Sequence, residues 1–166
     1  NRIWVGAKKA LRNKLANVAF LRTQIDRVAD YFTGNEVKEI WITFPDPQLR
    51  FSKAKKRLTH PKFLRIYQQF LAPGGLIHLK TDSPDLYQFT KIVSAMYDCT
   101  VYHDLTDLYR EIQLADELTI KTHYESLDIA GSNRVHYICF SLPAELAGTE
   151  RDVLLKEKLR EYEGTD

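Results

Sequence analysis

No Asp or Glu occurs from Pro47 to Thr81, thirty-five residues that carry eight Lys or Arg. Removing those eight from the 24 Lys and Arg of the chain leaves 16 bases against 22 acids, so the formal net charge of +2 conceals a segregated distribution. Segregation of this kind points to one face that attracts a polyanion and argues against a uniformly cationic, adhesive protein. Cysteine is scarce too. Cys99 and Cys139 lie far apart and outside any Cys-x-x-Cys spacing, which speaks against a zinc framework or a secreted disulfide scaffold and fits a reduced, cytoplasmic home. The five histidines have no metal-ligand pairing, so no metal site is expected. No apolar run approaches the roughly 20 residues that a membrane helix needs. Gly-x-Gly-x-x-Gly is absent, which lowers the case for a dinucleotide oxidoreductase. The opening Asn1-Arg2-Ile3-Trp4 looks like neither a signal peptide nor an initiator region, and the intact protein is expected to continue upstream of it.

What is present suggests one α/β domain. A chain of 166 residues can bury roughly 70% of its unfolded surface without a staple. Ile3, Ala7, Ala10, Leu11 and Leu15 follow helical spacing, with Arg2, Lys8, Lys9, Arg12 and Lys14 mostly on the remaining surface. Val18 to Leu21 reads as a short buried strand and Ile25 to Phe32 as a helix that stops at Gly34-Asn35. A second strand starts at Ile40. A helix enters at Pro61, whose missing amide proton costs nothing in a first turn, and Pro73-Gly74-Gly75 is expected to close it and turn into a strand at Leu76 to Thr81. Ser83-Pro84 opens another helix through Met96. Strands near Thr100 to His103 and Val135 to Leu142, with a helix over Leu105 to Leu114, complete the domain at residue 142. Residues 143–166 read as an acidic helical or partly disordered tail. Strands and helices joined by short links predict a parallel sheet covered on both faces.

Two carboxylates end two of these strands. Asp46 stands between Pro45 and Pro47 after Ile40-Trp41-Ile42-Thr43-Phe44, so its backbone has little freedom. A local turn cap is the alternative role for it. Asp82 follows Leu76 to Thr81, where Thr81-Asp82-Ser83-Pro84 also makes a good helix start. If the two strands are parallel neighbours, both acids emerge at the sheet edge where open α/β sheets bind ligands. Between them lies Arg50-Phe51-Ser52-Lys53-Ala54-Lys55-Lys56-Arg57, either a solvated charged face or a phosphate-binding loop; its place at that edge favours nucleic acid. Phe51, His60 and Tyr67 are candidates to stack on bases, although Tyr67 fits the helix core better. Thr122-x-x-Glu125 matches a capping box and is alternatively a second substrate clamp. His78, on an apolar strand, reads as core.

The combination Phe44-Pro45-Asp46-Pro47, the basic stretch ending Lys55-Lys56-Arg57-Leu58, Leu71-Ala72-Pro73-Gly74-Gly75, Thr81-Asp82 and Thr122-x-x-Glu125 resembles the tRNA (guanine-N7-)-methyltransferase family of the TrmB type, over roughly residues 1–142. The resemblance implies a Rossmann-like class I S-adenosylmethionine-dependent methyltransferase fold, present here without its first strands, and methyl transfer from S-adenosylmethionine to a guanine N7 in tRNA. It implies that Asp46 is catalytic and borders the methyl donor, and that Gln24 stands where the family usually has an Asp or Asn against that cofactor. Arg50, Asp82, Thr122 and Glu125 would contact the substrate nucleotide, and Ser52, Lys53, Ala54, Lys55, Lys56 and Arg57 occupy the stretch that contacts RNA. A monomer or homodimer is expected. The family commonly has Trp after Pro-Asp-Pro and an Arg-His pair in the basic loop, where this chain has Gln48 and Ser52-Lys53. Its Gly-rich loop and ribose-binding acid would precede Asn1. A small-molecule methyltransferase of the same fold and a noncatalytic RNA-binding fragment are the competing readings.

Overall fold

The computed structural model describes residues 2–111, 113–122, 125 and 134–163. Four strands form one sheet: β1 (Val37–Thr43), β2 (Leu71–Thr81), β3 (Thr100–Leu105) and β4 (His136–Ser141), in the order β1-β2-β4-β3. β1 and β2 are parallel, with Thr43 opposite Lys80. β4 is inserted antiparallel between β2 and β3, pairing Thr81 with His136 and Val101 with Phe140. The sheet is therefore mixed, where only parallel pairing is expected from the alternation of strands and helices. The methyltransferase fold expected from the resemblance is the one this α/β arrangement fits.

Alternation along the strands divides the residues between two cores. Ile77, Leu79, Ile138 and Phe140 meet α2 (Pro61–Tyr67) and α3 (Pro84–Met96) through Leu64, Phe89 and Val93, all 3% exposed or less. On the opposite face Tyr137 and Cys139 pack with Leu108, Leu118 and Val135. His78 lies there too, buried, with its Nδ1 2.8 Å from the Tyr137 hydroxyl and its ring stacked 4.0 Å from Trp41. The helix starts follow the sequence: His60 Nδ1 accepts from the Lys62 amide (3.1 Å) before Pro61, and Ser83 Oγ accepts from the Leu86 amide (3.2 Å) before Pro84. α5 (Glu150–Glu163) docks Leu155 and Leu159 into the first core. Two Arg65 nitrogens reach its Asp152 carboxylate at 3.1 and 2.7 Å. α1 (Arg2–Arg12) ends a turn short of the expected Leu15 and buries only Ala10.

Several expected elements differ. Val18 to Leu21 is neither strand nor helix, with Val18, Phe20 and Leu21 each more than two-fifths exposed; among the described residues β1 ends the sheet, and a short apolar run with no ladder partner cannot satisfy its amides as a strand. Ile25–Tyr31 is a 3-10 helix. Pro73-Gly74-Gly75 does not close a helix. α2 ends at Tyr67, Leu71 already pairs with Val37, and the Pro-Gly-Gly segment forms a bulge inside β2 before Leu76 pairs with Glu39. Gly74 has φ +70 there, and a Cβ on Gly75 would come within 2.8 Å of the Ala72 carbonyl oxygen. Among the described residues, no helix spans Leu105 to Leu114. Leu105 still pairs with Tyr137, and the Leu108 amide donates to the Val135 carbonyl at 2.7 Å, so the chain follows β4 into a 3-10 turn, Leu108–Arg110, and a short α4, Asp116–Thr119.

Candidate active site and its basic rim

The parallel register carries Asp46 and Asp82 beyond the carboxyl ends of adjacent strands, at one sheet edge. β1 is sealed there by the Phe44 amide, which donates to the Lys80 carbonyl at 2.8 Å. Phe44 and Gln48 then take φ values of 48° and 49°, so the chain turns sharply on both sides of the Pro-Asp-Pro segment. One Asp46 oxygen accepts from the Gln48 amide at 3.0 Å, the local turn bond that was the alternative role for it, and the residue remains exposed. Asp82 is half-buried. It does not cap α3: Ser83 does, and Thr81 Oγ1 accepts from the Ser83 amide at 3.1 Å. The Asp82 carboxylate is thus released from the role that a helix start would have given it.

The basic stretch is a 3-10 helix, Phe51–Lys56, and its threefold period sorts its residues. Ser52, Lys53, Lys55 and Lys56 face outward, as does Arg50 just before them, whereas Ala54 and Arg57 are buried. Arg57 is fully enclosed. Its Nε lies 3.2 Å from the carbonyls of both Pro47 and Gln48, its Nη2 lies 3.1 and 3.3 Å from those of Gln48 and Leu49, and its guanidinium carbon sits 4.6 Å from the centre of the Phe89 ring. Within the stretch expected to contact RNA, the Ala54 and Arg57 side chains are thus turned inward, and Arg57 ties down the loop that bears Asp46. His60 and Tyr67 are also enclosed and present no ring to a base. Burial lowers the His60 pKa to about 4, with Asp152 opposing and Lys55, Arg65 and Lys62 adding to the fall.

Thr122 and Glu125 form the capping box in full: the Glu125 amide donates to Thr122 Oγ1 (3.2 Å) and the Thr122 amide to Glu125 Oε2 (2.5 Å). His123 and Tyr124 lie outside the described residues. Glu125 Oε1 is also 3.1 Å from Lys80 Nζ and accepts from the Tyr109 hydroxyl at 2.5 Å, with both charged side chains 3% exposed or less. Burial alone would raise the Glu125 pKa; the Tyr109 hydroxyl, the Thr122 amide and Lys80 together hold it below the usual carboxylate range. Sequence reasoning missed Lys80 and Tyr109. A lysine inside an otherwise apolar strand was the available signal, since a buried ammonium requires an acid. Gln24 is exposed and precedes the 3-10 helix without capping it. Ile25 and Pro45, its neighbour and that of Asp46, both line an apolar groove of about 380 Å3 along β1.

A family profile described as "Putative methyltransferase" matches residues 3–136, most of the chain. The chain belongs to that family. Curated relatives agree with the methyltransferase motifs: a tRNA (guanine-N(7)-)-methyltransferase of Bacteroides thetaiotaomicron is 42% identical over 92% of this chain and 60% of its own length. The enzyme of the same name from Porphyromonas gingivalis is 45% identical over 85% of the chain and 57% of its own length, and that from Mycoplasmopsis pulmonis is 32% identical over 82% and 66%. The chain therefore spans about three-fifths of the length of such curated relatives. Among the described residues no cluster of three or more His, Cys, Asp or Glu is placed to hold a metal ion, and no helix is long and apolar enough to cross a membrane.

Proposed function

We propose that this protein transfers a methyl group from S-adenosylmethionine to N7 of a guanine in tRNA. The observation that carries the reading is the pair Asp46 and Asp82 at the adjoining ends of two parallel strands, bordered by an exposed run of cations. In this reading Asp46 and Gln24, which adjoin in sequence the groove-lining Pro45 and Ile25, would hold the donor: a carboxylate suits a cationic sulfonium, and an apolar groove suits a flat heteroaromatic group. When bound, S-adenosylmethionine supplies an electrophilic methyl group.

Guanine N7 has a lone pair and no proton, so the protein needs no general base and its contribution is orientation and charge. Asp46 and Asp82 accept hydrogen bonds from the guanine edge and stabilise the positive charge that grows on the purine. Alignment of two reactants can contribute about 7 to 11 kcal/mol of the barrier. Arg50 and the outward Ser52, Lys53, Lys55 and Lys56 hold the RNA backbone while the target base leaves its stack. Thr122 and Glu125 are assigned to the segment that contacts the nucleotide, a segment anchored by the buried Lys80–Glu125 pair. Cys99, whose thiol burial pushes up to about 12, and the enclosed Cys139 suit a reducing cytoplasm. The test is methyl transfer to tRNA by the whole protein: Asp46→Asn and Asp82→Asn should each lower kcat by about a hundredfold, as loss of one charge-stabilising group typically does. Unchanged turnover in Asp46→Asn rejects the assignment.

A further inference from the structure

The 3-10 helix Phe51–Lys56 and α5 stand on either side of a cleft of about 780 Å3. Lys55 and Ser52 line one wall; Lys156 and Arg160, four residues apart and hence on one face of α5, line the other. These cations come from distant parts of the chain, and α5 is a segment whose composition reads as acidic. Leu155 and Leu159, only 1% and 2% exposed, fix the helix on the core and so fix the direction of the residue that follows each. The Arg160 guanidinium carbon lies 5.9 Å from the centre of the Phe51 ring, which joins the two walls. Asp152, the acid among the lining residues, is engaged by Arg65 and by the Tyr97 hydroxyl. Lys55, Lys156 and Arg160 are exposed, and among the described residues no carboxylate pairs with them.

We infer that α5 is the second wall of a phosphate-binding cleft, in which Lys156 and Arg160, with Lys55 opposite, seat a stretch of RNA sugar-phosphate backbone beyond the nucleotide being methylated. An RNA strand is favoured as occupant because Lys53 and Lys56, exposed on the same 3-10 helix as the cleft-lining Ser52 and Lys55, add positive charge beside the cleft, so that a run of phosphates finds more than one cation. The inference rests on the proposed tRNA substrate and adds to it a site some hundred residues downstream of the basic loop.

The experiment is equilibrium binding of tRNA to the whole protein across a salt series, with methyl transfer assayed on the same preparations. Lys156→Ala with Arg160→Ala should weaken binding about tenfold at moderate salt and flatten the log-log salt dependence by about 1.4 to 1.8, the share of two phosphate contacts. Lys158→Ala, on the helix surface away from the cleft, changes net charge without touching the cleft and should leave the slope within error. A slope unchanged in the double variant, with Lys53→Ala and Lys56→Ala still flattening it, overturns the role of α5 while leaving the tRNA substrate intact. No effect from either pair, or no binding of tRNA by the parent protein, overturns the substrate itself. A slope that falls equally in Lys158→Ala also rejects the cleft, since it reports net charge alone. A Lys156→Gln with Arg160→Gln variant, checked by far-ultraviolet circular dichroism, separates loss of charge from loss of the helix.

Discussion

Arg57 exchanges its hydration for the carbonyls of Pro47, Gln48 and Leu49, so a residue drawn from the most basic run of the chain serves an internal purpose. A planar fork can reach several acceptors together, whereas a lysine ammonium at the same place is a single point on a flexible stem. Arg57→Lys should therefore keep the charge and lose the geometry. We expect kcat to fall about tenfold to a hundredfold, since a displacement near 1 Å at a reacting group costs that much, with the salt dependence of tRNA binding unaltered. A kcat equal to that of the parent would show that the Asp46 loop is held by other means. Arg57→Ala leaves the three carbonyls short of a donor and should lower stability by about 3 kcal/mol, read from the urea midpoint. Nothing in the linear run Lys55-Lys56-Arg57 separates the third member from the other two. The distinguishing feature is the 3-10 period, which lines up Phe51, Ala54 and Arg57 on the inner side, and that period becomes visible only once the turn is known to be 3-10 instead of irregular.

At the level of elements, α2 and its cap make a pH-dependent joint. His60 is neutral in the fold, and its pKa of about 4 lies below the ordinary 6.5, so between those values the native state binds fewer protons than the unfolded chain. Its stabilising contribution is complete above pH 6.5 and disappears as the pH falls through about 4, for a total of at most about 3 kcal/mol. His60→Asn keeps a good capping residue and removes the titration, so its stability measured at pH 7 and at pH 4 should differ less than that of the parent. An equal loss in both would assign the acid sensitivity elsewhere. The buried Lys80–Glu125 pair answers to the same logic one step lower: the Glu125 pKa is depressed in the fold, so the stability it lends is present above its unfolded value and is lost as pH falls below it. Glu125→Gln strands the Lys80 ammonium, and we expect a loss of about 3 kcal/mol at pH 7, whereas Lys80→Met with Glu125→Leu together should recover most of it. Failure of the double variant to exceed the single one would mean that Tyr109 and the Ile120 carbonyl suffice for Lys80. Elements with local punctuation were legible from sequence alone: helices start at Pro61 and Ser83-Pro84 as their residues predict, and β1 and β2 pair in parallel as the two acid-ended strands suggest, although both begin earlier than expected. Elements defined by a distant partner were not. Val18 to Leu21 has strand composition without a neighbouring ladder, the Pro-Gly-Gly bulge depends on Val37 pairing with Leu71, and the stretch after Leu105 is governed by its bond to Val135.

Across the whole molecule, the proposed function would bring attraction and chemistry to one edge, where the strand-end acids and the exposed cations lie. The acids at the strand ends are few and the cations outside them are exposed, so an approaching polyanion is drawn toward the edge before any base is recognised. The exposed cations and the two parallel strand ends were readable from the acid-free run and the matching apolar strands, because both depend on sequence position alone. The contribution of α5 was not, since Glu150, Asp152, Glu157 and Glu161 mask Lys156 and Arg160 in any linear count, and only docking of Leu155 and Leu159 turns the two cations toward the basic turn. Steering by exposed charge has a kinetic signature separate from stability. In Lys55→Ala with Lys56→Ala, the association rate with tRNA at low ionic strength should drop about tenfold and its decline with added salt should become shallower, because steered encounters are the ones that salt slows. The unfolding free energy should change by no more than about 0.5 kcal/mol, as these side chains are exposed and, among the described residues, no carboxylate pairs with them. Stopped-flow association over a range of salt, set beside urea unfolding of the same variant, reads both quantities. A lowered rate with unchanged stability places the two lysines in long-range attraction; a lowered rate accompanied by a large loss of stability would make them structural and remove them from the RNA-binding face.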